Sequence, residues 1–272
     1  MSKQDQNDYI LGTEKAELHR LGLQHQVWAS EARDGWEYAR FGRGQTILDL
    51  GSGPGYCARD LAYMTGATGK VIAVDKSKTY IDLLNQISSI HELNIETHCC
   101  DFDNMLLEEN SLDGVYCRWA MAWIPNPEEV LAKLKKALKP GGVLVMHEYY
   151  DWSTLQTEPT MPHLKKCIAA AYKSFTEQEG DINIGRRLPG IFFELELEVV
   201  RVRPMSKIAS SSDFTWQWPN SFFKIYFPKL IPVGYLDEET CQLGLEELEA
   251  LSYVEGATIC CPLMTEVIAV KM

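Results

Sequence analysis

Between residues 47 and 142, short β-branched apolar runs alternate with longer amphipathic stretches. Such runs suit strands buried on both faces, and the stretches between them suit covering helices, so the pattern predicts an α/β half with a parallel sheet. Strands are expected over residues 46–49, 70–75, 95–100, 112–117 and 142–148. Helices are expected over 55–64, 78–91 and 127–138, the last opened by a proline in its first turn and closed by Lys139-Pro140-Gly141-Gly142.

Outside this half the pattern loosens. Residues 14–41 place Leu18, Leu21 and Val27 on one helical face and predict one or two flanking helices. After the fifth strand, a helix is expected over 163–178, followed by a Gly-Arg-Arg-Leu-Pro segment at 185–189 and a strand over 198–203. An aromatic-rich stretch over 214–235 precedes a helix over 238–251 and a last strand over 267–271. A chain of 272 residues without internal repeats suggests one domain.

Charge narrows the partners. With 38 acidic and 26 basic residues the net charge is -12, which argues against nucleic acid or an anionic membrane as a partner. No apolar run approaches the roughly 20 residues that span a bilayer. The polar, acidic start of the chain is unlike a secretory leader, so a cytoplasmic protein without membrane insertion is expected. The eight cysteines form no C-x-x-C pair and include two adjacent doublets, so reduced, buried thiols are expected in place of zinc or disulfides. His19, His25, His91, His98 and His163 fall on expected helices or mid-strand without metal-ligand spacing, and no metal is expected.

The densest chemistry lies where Ile47-Leu48-Asp49-Leu50 runs into Gly51-Ser52-Gly53-Pro54-Gly55 and a helix beginning near Tyr56. Glycines there permit positive φ and let backbone press on a ligand, and the helix start offers N–H donors. The same turn also serves plain tight packing. The next strand ends on Asp75, about 20 residues past the last glycine, where a carboxylate can accept ribose hydroxyls. A dinucleotide fingerprint wants glycine or alanine where Tyr56 stands, which disfavours a nicotinamide cofactor. The third strand ends at Asp101-Phe102, a capping acid or an adenine reader, and the fourth leads into Arg118-Trp119.

Together, D-x-G-x-G-x-G, the acid after the second strand, Asp-Phe after the third and L-K-P-G-G before the fifth resemble class I S-adenosylmethionine-dependent methyltransferases, over roughly residues 9–151. Within them the chain is similar to the methyltransferase-domain group that includes ubiquinone, menaquinone and natural-product enzymes. The resemblance implies a Rossmann-like, seven-stranded, mostly parallel sheet with helices on both faces. It implies an N-terminal helical cap (1–45), a cofactor-binding half (46–150) and a substrate-side half (151–272) with insertions at about 151–185 and 208–255. The implied contacts to S-adenosylmethionine, or to S-adenosylhomocysteine after transfer, are Asp49, Gly51, Ser52, Gly53, Gly55 and Tyr56 around the methionine part, and Asp75 on the ribose. Lys76, Asp101 and Phe102 lie at the adenine, the backbone near Arg118 borders the sulfonium, and Tyr9 and Gln24 close over the carboxylate.

If the small-molecule acceptor carries a hydroxyl, a general base belongs above the fourth and fifth strands. His147 and Glu148 are the candidates there, although neighbours on a strand face opposite ways and one of them then points into a helix layer. Arg118, Trp119, Trp123 and Tyr149 are candidates to hold the acceptor; the tryptophans suit core packing as well. Trp216, Trp218 and Phe222, with Arg186 from the preceding insertion, are expected as a lid over the acceptor, or as rings that seal the insertion or form a homodimer contact. Besides methyl transfer, a nicotinamide oxidoreductase, a non-catalytic S-adenosylmethionine-binding protein and a protein or tRNA methyltransferase are carried as alternatives.

Overall fold

A computed structural model of the chain describes residues 15–272. Helix α1 (Lys15–Tyr38) is followed by β1 (Thr46–Leu50), α2 (Tyr56–Thr65), β2 (Lys70–Asp75), α3 (Lys78–Ile90), β3 (Ile95–Cys99), β4 (Leu112–Arg118), α4 (Pro127–Ala137) and β5 (Leu138–Asp151). The second half contains β6 (Gln156–Glu158), α5 (Pro162–Thr176), α6 (Leu188–Glu194), β7 (Leu197–Met205), β8 (Ile208–Ser210), α7 (Gln217–Leu230), α8 (Glu238–Leu251), β9 (Thr258–Cys260) and β10 (Leu263–Lys271). These elements form two compact units. A sheet unit holds Trp28–Tyr150, Glu179–Met205 and Met264–Met272, and a helical unit holds residues 15–27, Asp151–Gln178 and Ser206–Leu263.

In the sheet unit seven strands run in the order β3-β2-β1-β4-β5-β10-β7. The five strands from β3 to β5 are parallel to their neighbours, and β10 with β7 is antiparallel. This is the Rossmann-like, seven-stranded, mostly parallel sheet that the resemblance implies. Ile47, Leu48, Leu50, Val71 and Val74 are fully buried, as strands covered on both faces require, whereas the edge strand β7 alternates exposed and half-buried positions between two buried ends. Trp36, Ala58 and Leu61 from α1 and α2 pack with Ile47, Val71, Tyr116, Val145 and Ile268.

One local expectation is corrected in the sheet. Lys139-Pro140-Gly141-Gly142, read as the stop of a helix, opens β5, which is 14 residues long. Pairing between β4 and β5 shifts register between Leu112 and Gly114, and Gly141 at φ 79 supplies the bend. Helix α4 ends just before it, with Glu128 and Glu129 in its first turn and Lys135 and Lys136 in its last, matching the helix dipole at both ends.

The helical unit contains an antiparallel sheet of order β6-β9-β8, each strand three residues long, which the sequence pattern does not reveal. Its main mass is α5, α7 and α8. The aromatic-rich stretch 214–235, expected within an insertion, forms α7 because its large rings recur at helical spacing. Trp216, Trp218, Phe223, Tyr226 and Phe227 are buried within this unit. The Tyr226 ring stacks on Phe175 and on Phe222 at 5.0 Å, and its hydroxyl pairs with Ser174 Oγ at 2.8 Å. Glu247 of α8 accepts the first N–H groups of α5, from His163 and Leu164, and so caps that helix. Among the described residues no helix is long and apolar enough to cross a membrane. All eight cysteines are free thiols; five are buried, and Cys99 is exposed.

Candidate functional site

The glycine turn after β1 is built by sterics and two anchors. Gly51, Gly53 and Gly55 all take positive φ. A Cβ on Gly51 would collide with the Ala120 side chain and one on Gly55 with the Leu84 side chain, so those side chains pack directly on the turn backbone as only glycine allows. Gly51 N and Ser52 N both donate to Val74 O, at 2.9 and 3.0 Å. Asp75, at the tip of β2, accepts from Gly53 N at 2.8 Å through one oxygen and from Ser77 N at 2.8 Å through the other. Burial raises the Asp75 carboxyl and those two N–H donors pull it back. Each oxygen keeps a further lone pair for a hydroxyl donor. Gly55 is the N-cap of α2 and brings no side chain, so the first N–H groups of that helix are left to other partners.

Below the turn lies Asp49. Burial pushes its carboxyl up to about 7, against the opposing pull of Arg118 and with Asp75 adding to the rise; the Ala58 N–H donates to it. Its Oδ2 and the Ser52 Oγ are buried and make no hydrogen bond. A buried acceptor left over beside a glycine turn fits an ammonium or hydroxyl donor of a bound molecule. Arg118, at the tip of β4, donates to Cys57 Sγ at 3.3 Å and lies 5.0 Å over the Trp119 ring.

The third strand tip closes the ring of positions. Cys100 N donates to Asp75 O at 3.2 Å, tying the ends of β3 and β2 together. Asp101 is the exposed N-cap of a short turn over Phe102–Asn104, and the Phe102 ring approaches the Gly51 backbone. Lys76 is exposed beside Asp75, and Arg59 sits 5.0 Å over the Tyr56 ring. Thus Asp49, Gly51, Ser52, Gly53, Gly55, Tyr56, Asp75, Lys76, Asp101, Phe102 and Arg118 all stand at the carboxyl ends of β1 to β4 in one unit, the edge where such sheets bind ligands. Tyr9 lies outside the described residues. Gln24 belongs to the helical unit, where its side-chain oxygen accepts from Arg20 at 2.8 Å and from Trp218 Nε1 at 3.0 Å.

Above β4 and β5 the two base candidates part, as alternate strand positions must. His147 faces Gly35 of α1; its Nε2 pairs with Glu266 Oε2 at 2.8 Å and its Nδ1 with the Tyr116 hydroxyl at 3.3 Å. Burial lowers its basicity, with Glu266 acting against that. Glu148 faces the opposite way, and its Oε1 accepts from Ala120 N at 3.0 Å and Met121 N at 2.9 Å. Neither partner set was legible in the sequence, because Glu266 lies 119 residues from His147 and the Glu148 partners are backbone groups. Trp119 takes φ 59, and its ring stacks on Tyr149 and meets Trp28 edge-on, both at 5.9 Å. Trp123 is 40% exposed. Arg186 donates to Tyr150 O and lies over the Tyr150 ring, while Arg187 pairs with Glu128. Trp216 and Trp218 are core residues of the helical unit and Phe222 is half-buried there. Among the described residues no group of three or more His, Cys, Asp or Glu side chains could hold a metal ion.

Comparison with known proteins gives a consistent result. A family described as "Methyltransferase domain" matches residues 42–192. An uncharacterized 37.1 kDa protein of a Streptomyces fradiae transposon is 26% identical over 218 residues, covering 79% of this chain and 61% of that protein. The demethylmenaquinone methyltransferase of Oceanobacillus iheyensis is 29% identical over 161 residues, covering 56% of this chain and 66% of the relative. The chain therefore spans less than two thirds of the length of these curated relatives. Among solved structures, a putative methyltransferase from Bacillus halodurans superposes with a TM-score of 0.62 at 15% identity, over 89% of this chain and 99% of that one.

Proposed function

Because the chain belongs to the methyltransferase-domain family, we propose that it transfers a methyl group from S-adenosylmethionine to a small-molecule acceptor. The observation that carries this reading is the glycine turn between two carboxylates, with Asp49 Oδ2 buried beneath it without a partner and Asp75 presented beside it. Residues 51–55 and Asp49 would hold the methionine part, Asp75 the ribose hydroxyls, and Asp101 with the Phe102 backbone the adenine. Bound there, S-adenosylmethionine supplies a methyl group already activated by a sulfonium. The protein's task is then to align the acceptor and exclude water. Both ring nitrogens of His147 are engaged in the core and Glu148 Oε1 already accepts two N–H donors, which supports transfer by alignment over transfer with His147 as the base. Arg118, Trp119, Trp123 and Tyr149, at the end of β4, just after it and late in β5, would meet the acceptor. A small acceptor is supported by the quinone-type substrate in the name of the Oceanobacillus relative and by the net charge of -12, which disfavours RNA. A cytoplasmic location belongs to the same reading.

Calorimetry with S-adenosylhomocysteine and with NAD, followed by turnover of S-adenosylmethionine on a panel of phenols, quinols and small amines, tests it. One molecule of S-adenosylhomocysteine is expected to bind per chain, NAD is expected not to bind, and at least one small acceptor is expected to be methylated. Binding with no turnover on any acceptor class would point to a non-catalytic S-adenosylmethionine-binding protein.

A further inference from the structure

Register sets the stage. Arg118 is paired with His147 across β4 and β5, so Glu148 stands one residue past the last paired position, facing the segment that leaves β4. That segment turns abruptly. Trp119 N donates to His147 O at 3.1 Å, and Trp119 itself takes φ 59, a conformation that a bulky side chain rarely adopts and keeps only where its surroundings hold it. The next two N–H groups, of Ala120 and Met121, converge on Glu148 Oε1; burial pushes this carboxyl up to about 7, and these N–H groups with that of Ala122 pull the other way. Successive backbone N–H groups around one acceptor oxygen form a nest, and a carboxyl oxygen serves as that acceptor whether or not the group is ionised.

What the nest holds is the wall of the glycine turn. Ala120 packs where any side chain on Gly51 would have to go, and on its other side the segment is packed so closely that a Cβ on Gly180 would collide with Ala122 O. Glu148 is wholly buried, and its Oε2 makes no hydrogen bond. An apolar residue of that volume would fill the space without desolvating a carboxylate, so packing alone does not explain the choice. Acceptance of the N–H groups does, since without an acceptor they would be buried and unsatisfied.

On the cofactor reading given above, we propose that Glu148 is a positioning residue for methyl transfer: its carboxyl oxygen gathers the N–H groups after β4 and thereby holds Ala120 against the glycine turn that carries S-adenosylmethionine. It acts through the backbone and touches neither methyl donor nor acceptor. The amide oxygen of glutamine can accept the same N–H groups, whereas methionine keeps the volume and offers no acceptor.

Glu148→Gln and Glu148→Met are compared by calorimetry with S-adenosylhomocysteine, by thermal unfolding and by hydrogen exchange at the Ala120 and Met121 amides. Glu148→Gln is expected to keep affinity within about threefold of wild type and to keep both amides protected. Glu148→Met is expected to lose at least about tenfold in affinity and the protection of those amides, while distant strand amides stay protected. The proposal is overturned if Glu148→Met unfolds at a lower temperature yet binds as wild type, or if Glu148→Gln loses affinity as severely as Glu148→Met, since the carboxylate would then act on the ligand itself. A wild-type protein that gives no heat with S-adenosylhomocysteine overturns the cofactor reading, and this proposal with it.

Discussion

The sheet unit and the helical unit treat their buried polar groups differently. In the helical unit they close on one another: Arg20 makes a bidentate pair with Glu17, Gln24 takes Arg20 and Trp218, Ser174 takes Tyr226, and Glu247 caps α5. In the sheet unit the oxygens of Asp49, Ser52 and Glu148 include members that are buried without a hydrogen-bond partner, and all three residues stand at the carboxyl ends of strands. Unsatisfied buried groups are costly, so a fold keeps them where a ligand or a local geometry needs them. The difference supports the proposed cofactor site in the sheet unit, while Trp216, Trp218, Phe223, Tyr226 and Phe227 are buried in the core of the helical unit.

The largest effect that would break this contrast is in the helical unit. Replacing Trp216 and Trp218 together by leucine should destabilise the protein by on the order of 2–3 kcal/mol per ring, because each leaves a cavity and Trp218 also leaves Gln24 short of a donor. The unfolding midpoint should fall markedly, with S-adenosylhomocysteine affinity near wild type at temperatures where the variant stays folded. A selective loss of acceptor binding at unchanged stability would instead restore the lid expectation for these rings.

A somewhat smaller effect is expected at Asp75. Asp75→Ala removes the acceptor for Gly53 N and Ser77 N together with the implied ribose contact, and should weaken S-adenosylhomocysteine binding at least tenfold, about 1.5–3 kcal/mol. Calorimetry on the folded variant decides this, and unchanged affinity would move the cofactor away from the β2 tip.

The smallest effect is a pH dependence that sharpens the role of Asp49. Burial holds this carboxyl at about 7, above its ordinary value of 3.8, so the fold favours the protonated form; the stability it adds is present at low pH and is lost as pH rises through about 7. A ligand ammonium favours the carboxylate, so affinity for S-adenosylhomocysteine should be full above about 7 and fall by up to about tenfold per pH unit below it. Asp49→Asn should flatten that slope. A wild-type affinity independent of pH between 5.5 and 8 would show that Asp49 does not meet the amino group.

Legibility followed the same division. The strands from β1 to β4, the glycine turn and the strand-tip acids could be read directly, because each is a contiguous signal: a run of apolar residues, a turn chemistry, an acid one step later. Helix α8 was read to its ends because Asp237 and two glutamates announce its start. The helical unit was not legible as a unit, since it is assembled from residues 15–27, Asp151–Gln178 and Ser206–Leu263, and its strands of three residues carry no detectable period.

By itself, then, the sequence determined what depends on neighbours along the chain: the order of strands and helices in the first half, and a glycine turn flanked by Asp49 and Asp75. Only the tertiary structure decided what depends on groups brought together from afar. It set His147 against Glu266 in the core, turned Glu148 to the opposite face onto the backbone of Ala120 and Met121, and drew the rings of α7 into a core with α5. The physical reason is that strand alternation fixes that two adjacent side chains diverge, but which partner each one meets is set by register and packing, and neither is written in the spacing of residues.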